Sequence, residues 1–170
     1  MSMIYTTSGD TYTDLDVLAC AVGYSEFLNK TGIESEVVLP GPLNQGIVPS
    51  IRKWNLKYIT KLVDKDAKII IVDMSDPEYV KDRMNINQVV EIFDHHFGHE
   101  DFWREQLGAK SHIEKVGSCA TLIFEEYEKK KLQPSTLTAN LLYTAIFSNT
   151  LNFNAGVSCD RDRLAFKELK

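Results

Sequence analysis

The chain has 170 residues, a length that suits one domain with a real core and is too short for two full ones. Hydrophobic residues at 44% and charged residues at 25% describe a folded globular chain rather than a disordered one. A net charge of −5 gives no electrostatic basis for an extended nucleic-acid surface. No apolar run is long enough for a membrane span, and the N-terminus lacks the basic-then-apolar layout of a secretory signal, so the expected location is cytoplasmic. Cys20, Cys119 and Cys159 form no CxxC pair, and their odd number argues against a disulfide framework.

In chain order, Met3–Thr7 reads as a first strand, and Asp14–Leu28 carries Leu15, Leu18, Ala19, Val22 and Leu28 at helical spacing. Thr31-Gly32 closes that helix, Glu36–Leu39 makes a second short strand, and Pro40-Gly41-Pro42 opens a loop. Val48–Val63 is expected to be helical in pieces. Lys68–Asp73, "KIIIVD", is the continuous apolar run of a buried parallel strand, and Asp76-Pro77-Glu78 has the form of a cap and first helical turn. Val89–Asp94 is the next strand, after which Phe97-Gly98-His99 begins a loop. Ser111–Val116 suits a short strand, Ser118–Lys130 a helix capped by Ser118, and Ser135–Ser148 a helix after Pro134. A last helix starts with its cap at Ser158. Strands alternating with helices indicate an α/β fold, a doubly wound and mostly parallel five-stranded sheet flanked by helices.

Ligands of such sheets bind outside the carboxyl ends of the strands, so the acidic residues there are informative. Asp10, Asp14 and Asp16 follow the first strand, Asp73 ends the third, and Asp94-His95-His96 ends the fourth. Five carboxylates and two imidazoles gathered at one edge would repel one another or take up protons unless a divalent cation were present. Taken singly, Asp14 or Asp16 is equally a helix cap and Asp73 a strand terminator. Neighbouring His95 and His96 point different ways from a strand end and can serve two partners. No G-x-x-x-x-G-K-[ST] motif supports a Walker-type nucleotide site.

The pattern resembles the DHH phosphoesterase superfamily, whose name-giving triplet stands here as Asp94-His95-His96. "GDTYTDLD", Gly9–Asp16, is similar to its first motif, "VDMSDP" to its second, "VGSCATLIFEEY" to the helix after its third, and "TAIFSNTLNF" to its fourth. The likeness is greatest to manganese-dependent inorganic pyrophosphatases and prune-like exopolyphosphatases. It implies two Mn²⁺ or Mg²⁺ ions, and Asn149 in place of an Asp is expected to make the second bind more weakly here. Asp73 would bridge them, Asp10 and Asp14 would hold one, and Asp16 and His95 the other, with Asn149 at the position of a further ligand. It also implies that His96 faces the phosphate, that Asp94 orients the histidines, and that water is activated between the ions for attack on a phosphoanhydride such as pyrophosphate or short polyphosphate.

The departures from that pattern are as informative. Position 10 is Asp where His is usual, and Thr13 replaces the usual Pro. Asn149 replaces an Asp and offers only a neutral amide. The expectation is one DHH domain over residues 1–170 without the C-terminal DHHA2-type domain, which in the family brings basic side chains to the phosphates. Lys115, His99 and Arg161 are the basic candidates within the chain. The expected partners are a small phosphorylated substrate and, by resemblance, a second copy in a homodimer. The alternative to a hydrolase is a non-catalytic DHH domain that binds metal, nucleotide or a protein. An oligonucleotide phosphodiesterase is disfavoured by the acidic balance.

Overall fold

A computed structural model describes residues 3–9 and 11–170. Five strands, β1 (Ile4–Thr7), β2 (Ser35–Val37), β3 (Lys68–Val72), β4 (Val89–Asp94) and β5 (Ser111–Ile113), form one sheet in the order β2-β1-β3-β4-β5. Every neighbouring pair is parallel. Parallel pairing requires crossovers, and helices supply most of them. Helix α1 (Leu15–Lys30) joins β1 to β2, α3 (Pro77–Lys81) joins β3 to β4, and α4 (Glu100–Leu107) joins β4 to β5. The short α2 (Pro49–Arg52) lies between β2 and β3, while α5 (Cys119–Lys129), α6 (Thr136–Asn149) and α7 (Asp160–Glu168) follow β5.

Side chains alternate across the sheet, so "KIIIV" serves both faces. Ile70 and Val72 join Leu18, Ile123 and Leu142 under α1, α5 and α6, whereas Ile69 and Ile71 join Val80, Ile92 and Trp103 under α3 and α4. The register of β3 against β4 shifts between Ile69, opposite Val89, and Ile70, opposite Glu91. This extra residue puts the Glu91 carboxylate beneath α1, where the Tyr24 hydroxyl donates to it at 2.8 Å. Among the described residues no helix is long and apolar enough to cross a membrane.

The sequence expectations hold for the existence of the five strands and the main helices, with corrections, one of which is that β5 ends at Ile113 rather than Val116. Val48–Val63 contains a single short helix, α2, and Ile59 instead pairs with the end of the second strand region through a parallel bridge to Val38. Strand β2 starts one residue earlier than expected and ends two earlier, at Val37. The segment after His99 is α4 rather than loop. Its mean composition is polar, and only Trp103 is fully buried, anchored by an indole N–H donated to the Ser75 carbonyl at 2.6 Å. The last helix is capped by Cys159 rather than Ser158, because the Asp162 carboxylate reaches back to accept the Cys159 N–H at 2.8 Å.

Candidate metal centre

The site forms where β1, β3 and β4 end side by side. Asp14 is the N-cap of α1, with one oxygen accepting the Val17 N–H at 2.9 Å. Asp73 follows β3 in a left-handed conformation (φ 57°), which a short polar side chain tolerates better than most. Its N–H donates to the Phe93 carbonyl at 2.8 Å, so the turn stays tied to β4. Asp94, the last residue of β4, is fully buried and accepts the backbone N–H groups of His95 at 2.7 Å and His96 at 3.2 Å.

Hydrogen bonds fix both imidazoles. Nδ1 of His95 lies 3.1 Å from the Val116 carbonyl, which can only accept, so Nδ1 carries a proton and Nε2 is the ring nitrogen turned toward the acids. That Nε2 lies 3.3 Å from Asp73 Oδ1 and 3.9 Å from Asp16 Oδ2. Nδ1 of His96 pairs with Asp94 Oδ1 at 2.8 Å, and its side chain is 64% exposed against 13% for His95. One histidine therefore turns inward and the other forms part of the cleft wall. Asp94 orients the ring of His96 but only the backbone of His95, whose ring is held by Val116 instead.

Asp16 is fully buried in the first turn of α1. Its Oδ1 accepts from Ser118 Oγ at 2.9 Å and the Ala120 N–H at 3.0 Å, and its Oδ2 from the Cys119 N–H at 2.9 Å and the amide of Asn149. The N-terminus of α5 thus docks on this carboxylate. Asp73 differs sharply: its Oδ1 is buried without any hydrogen-bond partner. Burial, together with the Asp16 charge, pushes the Asp73 carboxyl up to about 8. Burial alone would lower His95, but Asp73 and Asp16 hold it at about 9. Protons therefore occupy positions that a cation could take. Asp73, His95 and His96 each offer a ligating atom within 4.8 Å of the others. With those protons displaced, the buried Asp73 oxygen and the His95 Nε2 beside it would suit a borderline or hard divalent cation.

A cleft of about 330 Å³ opens above these groups, lined by Asp14, Asp73, Ser75, His96 and His99 among others. Of the residues singled out in the sequence, Asp14, Asp73 and His96 line the cleft, while Asp16, His95, Asp94 and Asn149 stand behind it. Asp10 lies outside the described residues. Arg161 is committed elsewhere, paired with Glu125 at 2.6 Å and Glu114 at 2.8 Å. Lys115 stacks its ammonium 5.5 Å from the centre of the Phe97 ring. The sequence reading missed the groups that hold the site from behind: the Val116 carbonyl, the amides of Cys119 and Ala120, and Asp162. Gly117 was the available signal. A Cβ there would lie 2.7 Å from Thr150 and 2.8 Å from Asp162, so only glycine lets the Val116–Ser118 turn pack.

Comparison with known proteins gives this arrangement a context. The chain is 31% identical over 180 residues to the probable manganese-dependent inorganic pyrophosphatase of Clostridium acetobutylicum, covering 98% of this chain and 54% of the relative. It is 28% identical over 160 residues to the manganese-dependent inorganic pyrophosphatase of Bacillus subtilis, covering 92% and 51%. The chain therefore spans about half the length of these relatives. An exopolyphosphatase-related protein from Bacteroides fragilis shares the fold, with a TM-score of 0.67 at 16% identity over 99% of this chain and 52% of that one. Residues 5–146 match the description "DHH family, N-terminal domain", and with its parallel sheet and Asp-His-His strand end the chain belongs to the DHH family.

Proposed function

We propose that this domain is a metal-dependent phosphohydrolase acting on a phosphoanhydride such as pyrophosphate or short polyphosphate. The observation that carries the reading is the buried Asp73 Oδ1, which no well-formed hydrogen bond satisfies and which lies 3.3 Å from His95 Nε2 at the floor of an open cleft. The names of the relatives, manganese-dependent pyrophosphatases, support both the ion and the substrate class. A divalent cation held there would supply charge neutralisation for phosphate oxygens and acidify water to a nucleophile at neutral pH.

The chain's own groups do the positioning. Asp73 and His95 would hold the cation, with Asp14 beside them on the cleft wall. His96, its Nδ1 held by Asp94, presents Nε2 to the cleft, where it can donate to a phosphate oxygen or to the leaving group. Its pairing with Asp94 raises its pKa, which keeps a donor available around neutral pH. His99, at the same cleft, is the second imidazole within reach of an anion.

One observation favours a different reading. The Asn149 amide donates to Asp16, so a neutral group occupies a position where the resemblance calls for a charged ligand, and a non-catalytic domain binding metal or another partner would tolerate that change. Phosphate release from pyrophosphate and from short polyphosphate at saturating Mn²⁺ separates the two. The hydrolase reading expects slow release that falls at least about tenfold in His96→Ala, or roughly 1.4 kcal/mol of transition-state stabilisation, with Mn²⁺ binding retained. Mn²⁺ binding with no release above blank would replace it by the binding-module reading.

A further inference from the structure

We infer that the phosphoanhydride taken by this cleft carries a nucleoside, whose base is held between the rings of Tyr12 and Phe97. The inference rests on the phosphohydrolase reading above and names the substrate class within it.

Tyr12, Tyr58, Phe97 and Phe147 are the exposed aromatic rings among the described residues, and two of them, Tyr12 at 48% and Phe97 at 50%, line the metal cleft. Tyr12 follows β1 and Phe97 follows β4, whereas Asp73 follows β3, the strand between them. In the order of the sheet the two aromatic residues therefore flank the floor carboxylate. The ends of two strands separated by a third are about 10 Å apart, and one planar group fits between rings carried on them at ordinary stacking distances.

The backbone beneath each ring is anchored. Thr13, beside Tyr12, is buried, donates its N–H to the Pro42 carbonyl at 2.9 Å and accepts the Asn44 N–H at 2.7 Å. Gly41 permits this approach, since a Cβ there would lie 2.4 Å from the Thr11 backbone. Phe97 stands between His96, tied to Asp94, and Gly98, whose N–H donates to Glu100 at 2.8 Å. The Lys115 ammonium, 5.5 Å from the centre of the Phe97 ring, adds a positive charge at this rim.

Bare pyrophosphate has no use for these rings. It is an all-oxygen anion, and an aromatic face presents the negative part of its quadrupole, so the rings disfavour it wherever they meet it. A heteroaromatic base stacks on such faces. The size of the cleft agrees. Its 330 Å³ falls within the roughly 300–1,000 Å³ that holds organic ligands, with aromatic walls and a few placed polar groups, here Asp14, Asp73, Ser75 and His96. The phosphates would lie at the floor and the base at the rim.

Two uncleavable ligands test this by titration calorimetry at saturating Mn²⁺: adenosine α,β-methylenediphosphate and methylenediphosphonate, which lacks the nucleoside. The nucleoside compound is expected to bind at least about fivefold tighter, the least that a base stacked on aromatic side chains contributes. Tyr12→Leu and Phe97→Leu remove a ring at an exposed position, and each is expected to lower that ratio, with the double variant below about twofold. The ratio is the readout, so a general loosening of the cleft does not imitate the result. A smaller advantage in the wild type would overturn the inference, leave the phosphohydrolase reading standing and assign the rings to another protein surface. An advantage that the double variant keeps would overturn it as well. Binding of neither compound would overturn it together with the phosphohydrolase reading.

Discussion

Asp162→Ala is the perturbation that most directly tests how the centre is held. Asp162 is fully buried at the start of α7 and gathers three donors: the Gly117 N–H at 2.8 Å, the Cys159 N–H at 2.8 Å and Thr121 Oγ1 at 2.7 Å. Truncation strands two buried backbone N–H groups, while the threonine hydroxyl can turn to a carbonyl of its own helix. At about 1–3 kcal/mol for each unsatisfied group, the loss is roughly 2–6 kcal/mol. For a domain of this size that lowers the melting temperature by about 5–20 °C, with Asp162→Asn intermediate because it keeps one acceptor. The effect should reach the metal centre as well. Gly117 follows Val116, whose carbonyl fixes the His95 ring, and loosening such a group behind a ligand typically costs about 10–100-fold in metal affinity. Thermal unfolding by circular dichroism measures the first effect, and Mn²⁺ titration of the folded variant the second. A melting temperature within about 3 °C of wild type, the scale of an ordinary surface change, would refute the claim that Asp162 pins the turn. Lost stability with unchanged Mn²⁺ affinity would refute the link to His95.

Two further outcomes concern pH. Folding raises Asp73 from 3.8 to about 8 and His95 from 6.5 to about 9, so the metal-free fold keeps protons that the unfolded chain releases, and its stability falls as pH rises from about 4 to 9. A cation displaces those protons, so the rise in melting temperature produced by Mn²⁺ should grow between pH 5 and 8. An increment that is flat or shrinks over that range would contradict the assignment of Asp73 and His95. Glu91 has the opposite sign. Burial would raise its carboxyl, but hydrogen bonds from His112, Lys110 and Tyr24 outweigh burial and hold it below its usual range. Its contribution is present above the ordinary carboxylate pKa and is lost as pH falls through the lowered one. Glu91→Gln should therefore cost about 1–3 kcal/mol at neutral pH, a fall of roughly 3–10 °C, and the gap should narrow in acid. An equal gap at every pH would show that the charge of Glu91 does not matter.

How much of this was legible in the sequence depended on how local the signal was. "KIIIVD" and "VVEIFD" announce buried parallel strands because each apolar residue in them faces one core or the other, and Asp73 and Asp94 are marked by where those runs stop. Asp76 and Ser118 were readable as caps because a cap bonds within its own turn. Helix α4 was not readable, since it fully buries one side chain, Trp103, packs only Phe102 and Leu107 beside it, and is otherwise polar or charged. The second-strand region was misjudged because its partner, Ile59, lies more than twenty residues away in a stretch with no strand-like run of its own. The site divides in the same way. Its acids and histidines stand at strand ends and could be named, whereas the donors that satisfy Asp16 come from residues more than a hundred positions later, and their pairing exists only once α5 has docked on α1.

That long-range pairing determines what the cluster needs. Carboxylates crowded at the end of a parallel sheet need compensation, and the fold offers two sources: helix N-termini, with their free N–H groups and positive dipole end, and a bound cation. Helix α1 compensates Asp14 through the Val17 N–H, and α5 compensates Asp16 through the amides of Cys119 and Ala120. Asp94 draws on the amides of the residues after it and on the His96 ring through one oxygen, while the other, Oδ2, is buried without a donor. Asp73 cannot use any helix in this way. It leaves β3 through a left-handed turn, three residues before the cap of α3, and Asp76 rather than Asp73 takes the N–H groups of that helix. The strand order places β3 between β1 and β4, so the least compensated carboxylate lies between Asp14 on one side and the two histidines on the other. In the proposed reading a cation would be attracted to that position, because helix N–H groups compensate its neighbours whereas Asp73 has only the His95 ring beside it.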